Sequence, residues 1–284
     1  TLNLAGTSAT YTGGSDSFSN FERINLTNDV DDITTASGGT NNISVYAGDG
    51  ADTVTVQGNQ AVYGEAGNDV FTMASGATSA IIDGGSNTGA GDTLTFVSLG
   101  EAATSTTLVS GTSSIDTAST SVSFTGIENL IFSNSNDSVT QTTGAFDIDL
   151  GGGDDTLYMN ASGAVAASSD YDAGGNGATG DTIDYTAQSG VTVNLNTSSA
   201  THGGQSYSIN NFENVVGTAA TDNITSGSGN NDIDAAGGDD TINSIGGGTN
   251  TFDGGAHASV DTLDYSTVGS AVTLDLSGSS ATYT

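Results

Sequence analysis

Residues 221–243 read TDNITSGSGNNDIDAAGGDDTIN. One short phrase occurs there three times, as Asp222-Asn223-Ile224, Asn231-Asp232-Ile233 and Asp240-Thr241-Ile242, spaced by nine residues. Each copy sets Asp or Asn two residues before a large apolar side chain and follows a turn of small and polar residues. Nine residues are too few for a helical repeat, but they accommodate a tight turn and a short strand. Glycine supplies the positive φ that such turns need, at no steric cost.

The phrase recurs in both directions from this stretch. It stands at Asp31-Asp32-Ile33, Asn41-Asn42-Ile43, Asp52-Thr53-Val54, Asp69-Val70-Phe71 and Asp92-Thr93-Leu94. It returns at Asp137-Ser138-Val139, Asp155-Thr156-Leu157, Asp181-Thr182-Ile183 and Asp261-Thr262-Leu263. The words FER (21–23), IEN (127–129) and FEN (212–214) open three Gly- and Asp-rich blocks, at about 22–96, 128–185 and 213–265. The blocks close on GDTLTF, GDTIDY and VDTLDY. Ser- and Thr-rich segments join them at 97–127, 186–212 and 266–284, the last continuing in kind as 1–21. Apolar residues alternate in these segments, as in Val191, Val193, Leu195 and Val272, Leu274, Leu276. Period two predicts strands with one buried face. The sequence therefore predicts an all-β chain, continuous over 1–284.

The two ends match each other. TLNLAGTSATYT (1–12) and TLDLSGSSATYT (273–284) agree at nine of twelve positions. This suggests a super-repeat holding three unequal blocks. A plainer reading is that 273–284 is the common inter-block phrase, since TVNLNTSSATH (192–202) is also similar.

Composition narrows the function classes. The chain carries 33 Asp and Glu against one basic residue, Arg23, for a net charge of -32. Nucleic-acid binding draws on clustered Lys and Arg, so it is not expected, and anionic membrane surfaces are disfavoured by the same argument. No run of 18 consecutive apolar residues exists, so membrane insertion by a helix is not expected either. Acidity with modest hydrophobicity raises the alternative of disorder. The short Val, Ile, Leu, Phe and Tyr runs between turn residues argue against it. Cysteine is absent, which removes disulfides as a staple, and Pro is absent too. The first residue is Thr1, read as the start of a mature or trimmed segment.

A turn of glycines with one Asp offers hard oxygens: a carboxylate and exposed backbone carbonyls. Six to eight oxygen ligands in a flexible loop suit Ca²⁺ better than Mg²⁺, and Zn²⁺ wants His or Cys. Only His202 and His257 are present. Stacked coils about 4.8 Å apart would also bring Asp columns together, where like charges about 5 Å apart cost roughly 3 kcal/mol each at an effective dielectric near 20. Divalent cations reverse that sign.

Four segments resemble the RTX (repeats-in-toxin) nonapeptide G-G-x-G-x-D-x-U-x, with U a large apolar residue. They are AGDGADTVT (47–55), GEAGNDVFT (64–72), LGGGDDTLY (150–158) and AAGGDDTIN (235–243), with a weaker copy, SGSGNNDID, at 226–234. The resemblance implies a parallel β-solenoid, of β-roll or β-helix type, with calcium bound in its Gly and Asp turns. It makes Asp52, Asp69, Asp155 and Asp240 side-chain ligands. Asp92, Asp181 and Asp261 follow longer turns. Asp31, Asp137 and Asp222 open blocks without the full glycine framework. Asp49, Asp83, Asp154, Asp172, Asp239 and Asp253 in the same turns complete the candidate set. Ala or Leu often replaces the first glycine and Glu65 takes another glycine position, so fewer ions are expected than in a perfect array.

No enzyme is expected: there is no G-x-S-x-G elbow, both His lie in Gly-rich turns, and pairs such as Asp154-Asp155 belong to the metal turn. Glu22, Glu128 and Glu213 read as structural turn residues, with capping a coil or binding an ion as the alternatives. Thr53, Thr55, Thr93 and Thr95 are too scattered for an ice-binding face. The expectation is a secreted, extracellular or cell-surface structural protein of a surface layer, filament or biofilm matrix. A spacer or binding stalk of a large RTX adhesin is the second reading, and the secretion and folding module of an exported enzyme or toxin the third. Self-association, head-to-tail or lateral, is the expected partnership, with cell-surface polysaccharide a further candidate.

Overall fold

The computed structural model describes residues 1–4, 7–36, 43–87, 89–160, 168–275 and 280–283. The Asn41-Asn42 phrase and Leu276 lie outside them. Among the described residues the chain is all-β, without a helix, and most strand pairs are parallel.

Strands of three to six residues alternate between sheets. Asp32–Thr34, Thr53–Val56, Val70–Met73 and Thr93–Thr95 are neighbours in a sixteen-stranded sheet. The intervening strands Ser44–Asp49, Ala61–Ala66 and Ser79–Asp83 are neighbours in a seven-stranded sheet. From Ser138 onward the alternation continues between the sixteen-stranded sheet and a six-stranded one. Each circuit is closed by the Gly- and Asp-rich turns.

In-register stacking lines up the apolar residue of each phrase. Ile33, Val54, Phe71, Leu94, Leu130, Ile148 and Tyr171 form one row. Val45, Val62, Ile82 and Phe124 form another, and Val139, Leu157, Ile183, Val215, Ile233 and Phe252 a third. Nearly all are fully buried in one hydrophobic cluster. A three-residue strand aims its central side chain inward and its flanks outward, which is why a phrase with one large apolar residue suffices.

The joining segments depart from this pattern. Ala103–Thr107, Ser113–Thr117 and Ser121–Thr125 run antiparallel to one another, as do Val191–Asn194, Ser199–His202 and Gln205–Asn210. Leu2–Asn3, Ser8–Tyr11 and Gly14–Ser17 repeat the arrangement at the start, and Val272–Asp275 pairs with Ser280–Tyr283 near the end. At His202–Gln205 the reversal is a two-residue loop with Gly203 at φ 57 and Gly204 at φ 80. Positive φ at both central positions makes the type I′ turn whose twist matches a hairpin.

Candidate functional site

The Asp of each phrase lies two residues before the inward apolar residue. In a strand-like segment that parity sends its side chain inward too. Asp52, Asp69, Asp92, Asp137, Asp155, Asp181, Asp222 and Asp240 are accordingly buried. Stacking then joins them in columns by a single repeated bond. The Asp31 amide donates to Asp52 Oδ1 (2.7 Å), the Asp52 amide to Asp69 Oδ1 (2.8 Å) and the Asp69 amide to Asp92 Oδ1 (2.7 Å). In the second block the Asp137 amide donates to Asp155 Oδ1 (2.6 Å) and the Asp155 amide to Asp181 Oδ1 (2.7 Å). The third links Asp222 to Asp240 (2.8 Å) and Asp240 to Asp261 (3.0 Å).

Two of the repeated glutamates end columns. Glu128 Oε2 accepts the Asp92 amide at 2.9 Å, and Glu213 Oε2 accepts the Asp181 amide at 3.0 Å. Each also opens the next block. A carboxylate one methylene longer than Asp reaches the column across the hairpin that separates the blocks.

The second carboxylate oxygens fall into two groups. In the block-opening residues they are satisfied by a Ser or Thr four residues upstream. Asp31 Oδ2 accepts the Thr27 amide and hydroxyl (3.1 and 2.8 Å). Asp137 Oδ2 accepts the Ser133 amide and hydroxyl (both 3.3 Å). Asp222 Oδ2 accepts the Thr218 amide (2.7 Å) while Oδ1 accepts the Thr218 hydroxyl (3.0 Å) and the Val191 amide (2.7 Å). By contrast, Oδ2 of Asp52, Asp69, Asp92, Asp155, Asp181 and Asp240 is buried with no donor.

Bare glycines make room for these oxygens. A Cβ on Gly64 would lie 2.2 Å from Asp69 Oδ2 and 2.4 Å from the Gly84 carbonyl oxygen. A Cβ on Gly84 would lie 2.5 Å from Asp92 Oδ2 and 2.0 Å from the Gly126 carbonyl oxygen. At each glycine a buried carboxylate oxygen without a donor and a carbonyl oxygen crowd one spot.

The electrostatic consequence is a raised proton affinity. Burial, opposed by the accepted amide, pushes Asp52, Asp69, Asp92, Asp137 and Asp181 up to about 6, and Asp155 up to about 7. Burial also raises Asp222 and Asp240. These are groups for which loss of water dominates over hydrogen bonding.

The remaining candidates sit elsewhere in the turns. Asp154 collects the amides of Ala178, Thr179 and Gly180 (3.2, 3.0 and 2.9 Å). Asp239 Oδ1 does the same with Ala258, Ser259 and Val260 (3.1, 2.7 and 3.2 Å). These amides hold both carboxylates below the usual range. Each clasps the longer turn of the next coil. Asp172 and Asp253 accept the amides of Gly174 and Gly255 two residues on, both at 2.9 Å, and close their strands' exit turns. Asp49 accepts the Asn28 side-chain amide at 2.9 Å, and Asp261 Oδ2 meets His257 Nδ1 at 2.8 Å. Asp83 is half-buried beside Gly126.

Among the described residues, no group of three or more His, Asp or Glu side chains converges as a ligand set. A cation in the columns would therefore rely on backbone carbonyls for most of its shell. The Ser/Thr-x-x-x-Asp pattern at Thr27, Ser133 and Thr218 and the column-ending bonds of Glu128 and Glu213 were not read from the sequence. The first is visible there as a fixed spacing. The second needs the stacking register. Comparison with family models and with curated proteins found no match.

Proposed function

We propose that this protein is a calcium-stabilised parallel β-solenoid serving as an extracellular structural repeat, a building block of a surface layer, filament or matrix. One observation carries the reading: six buried aspartate oxygens, in register, with no hydrogen-bond donor.

An unpaired buried charge is destabilising unless it is neutralised or paired. Asp52, Asp69, Asp92 and Asp181, pushed up from 3.8 to about 6, and Asp155, to about 7, each weaken the ionised fold by up to about 3–4 kcal/mol at 1.36 kcal/mol per pKa unit. Five such groups together reach about 15 kcal/mol, the upper end of the roughly 5–15 kcal/mol by which a typical domain is stable. The fold at neutral pH therefore needs protons or cations in the columns. Donors available are carboxylate and carbonyl oxygens, the set that suits Ca²⁺. Asp52, Asp69 and Asp92 would hold ions in the first block, Asp155 and Asp181 in the second, and Asp240 in the third. The Gly84 and Gly126 carbonyls beside Asp69 and Asp92 would share in the shell. Bound there, the ion supplies positive charge and nothing else. The chain's own work is to hold oxygens in register and to exclude water.

A secreted setting follows from the same chemistry, because oxygen-only turns with two or fewer side-chain ligands need the higher free calcium found outside cells. Circular dichroism during chelation and calcium titration at pH 7.5 tests the proposal. Chelated protein should lose its β spectrum, or melt at markedly lower temperature, and calcium should restore it. A spectrum and melting point indifferent to both treatments would sink it.

A further inference from the structure

Five buried polar side chains outside the aspartate columns meet in the core where the second block joins the third. Strand Asp170–Asp172 lies between Asp147–Asp149 and Gln205–Asn210, with Tyr171 facing Ile148 on one side and Ile209 on the other. The phrase that ends at Tyr171 carries Ser169 where other coils carry Asp. Parity turns Ser169 inward two residues before Tyr171, and Tyr207 inward two residues before Ile209. From the six-stranded sheet, Gln141 stands in register with Met159, and Tyr185 follows two residues after the inward Ile183. None of the five is more than 4% exposed.

Ser169 and Gln141 border the Tyr171 hydroxyl, and the hydroxyls of Tyr185 and Tyr207 border each other. The Tyr171 and Tyr207 rings meet edge to face, with centroids 5.6 Å apart. Gln141 Nε2 donates to the Gly144 carbonyl at 3.0 Å. The three phenol hydroxyls, Ser169 Oγ and Gln141 Oε1 have no hydrogen-bond partner among the described residues. They are neighbours without being bonded. Burial also holds the phenols neutral, pushing Tyr207 up to about 12 and raising Tyr171 and Tyr185 as well. Each phenol is thus a donor as well as an acceptor.

A buried hydroxyl left unbonded is costly, and buried polar groups in folded chains are bonded either to protein or to ordered water. A gap between polar groups too wide for a direct bond is the place where a bridging water sits. We propose that this cluster is an internal water site, in which about two ordered waters, at about three hydrogen bonds each, join the five groups. One bridges Gln141 Oε1, Ser169 Oγ and the Tyr171 hydroxyl. The other bridges the hydroxyls of Tyr185 and Tyr207. Ser169 is the smallest of the five side chains and leaves the room that the first water takes. Water suits the site better than a cation does, because Gln141 Oε1 needs a donor while the hydroxyl protons need acceptors. The site is enclosed, so its waters exchange only when the surrounding coils open. None of the five groups belongs to an aspartate column, so the site stands apart from the calcium reading.

Crystallography of the full chain in calcium, together with water relaxation dispersion in solution, tests the proposal. Ordered density should lie within hydrogen-bond distance of Tyr171, Ser169 and Gln141, and between Tyr185 and Tyr207. Ser169→Val fills the space beside Tyr171, so relaxation dispersion should count about one long-lived water fewer than in wild type. Tyr171→Phe and Tyr207→Phe should each lower Tm by about 2–4 °C, the loss of one hydrogen bond. A wild-type crystal structure in which the side chains bond one another with no density between them would overturn the inference, whether or not the variants fold. So would an unchanged count of long-lived waters in Ser169→Val. A higher Tm in either Phe variant would show that the hydroxyl it removes has no partner at all, and would overturn it too.

Discussion

Replacing Asp155 by Asn separates the charge of the column from its hydrogen bonding. Asp155 is the most strongly shifted of the column aspartates for which burial gives a definite figure, at about 7 against 3.8. Its Oδ1 accepts the Asp137 amide, and its Oδ2 has no donor. Asn keeps the acceptor and replaces the bare oxygen by NH₂. The chain already uses this solution at Asn231, whose Nδ2 donates to the Glu213 carbonyl at 3.0 Å. A carboxylate with a raised folded-state pKa binds more protons in the folded than in the unfolded state between the two values. Stability is then full below about pH 4 and falls as pH rises towards about 7. By pH 8 the metal-free wild type should have lost about 4 kcal/mol at this position, at 1.36 kcal/mol per unit. Asp155→Asn should therefore stabilise metal-free protein at pH 8 by up to that amount, on the order of 10 °C in Tm, and change little at pH 4. In saturating calcium the sign should reverse, because the variant gives up a ligand. Thermal melts of both proteins, stripped of metal and calcium-loaded, at pH 4 and pH 8 read this directly. Global charge repulsion varies with pH in both proteins and cancels in the difference. A variant less stable than wild type in metal-free buffer at pH 8, or a difference independent of pH, would refute the reasoning.

Gly64→Ala should lower calcium affinity and stability together, by about 1–3 kcal/mol for an overpacked site, because its Cβ would lie 2.2 Å from Asp69 Oδ2; calorimetric titration and melts check both. Thr218→Val removes a hydroxyl that lies 3.0 Å from Asp222 Oδ1 and accepts the Gly190 and Ala220 amides at 3.1 and 3.0 Å. It should cost about 1–3 kcal/mol in thermal melts, because it leaves those amides without this acceptor, and leave the calcium stoichiometry unchanged, since Asp222 Oδ2 keeps its amide donor. Glu213→Ala strips the acceptor from the Asp181 amide, a loss of about 1–3 kcal/mol for an orphaned buried donor, measured by urea unfolding.

The nine-residue phrase predicted the strands, their inward apolar residues and the repeated Asp because each is a local property of a turn and a three-residue strand. Phe71 and Ile242 could be placed in the core from parity alone, whereas Tyr171, which follows Ser169 rather than an Asp or Asn at that spacing, could not. The antiparallel hairpins were not legible in the same way. Alternation in Val191, Val193 and Leu195 fixes a strand face but not the direction of its neighbour, and only the Gly203-Gly204 pair hints at the reversal. The column bonds lay further from view, since an amide from one coil and a carboxylate from another are 17 to 26 residues apart. Asp154 and Asp155 show the limit most clearly. Adjacent and identical in the sequence, they are sent by strand parity to opposite fates, one clasping exposed amides and the other buried without a donor.

If calcium fills the columns as proposed, that parity also orders the blocks by their dependence on it. The first holds three consecutive donor-less carboxylates, Asp52, Asp69 and Asp92, and ends on Glu128. The second holds two, Asp155 and Asp181, ending on Glu213. The third holds only Asp240, while its opposite side stacks Asn231 on Asn250 through neutral amides (2.9 Å). Repulsion along a column grows with the number of adjacent charges, and the Ser- and Thr-rich hairpins interrupt it before the columns can merge. Progressive chelation should therefore open the molecule from the first block towards the third. Hydrogen exchange followed by mass spectrometry at stepwise lower calcium reads that order: amides of Thr53–Val56 and Val70–Met73 should lose protection before those of Asn223–Thr225 and Thr241–Asn243. Simultaneous loss would mean that the stack unfolds as one unit, and loss in the opposite order would mean that something other than the unpaired carboxylates sets its stability.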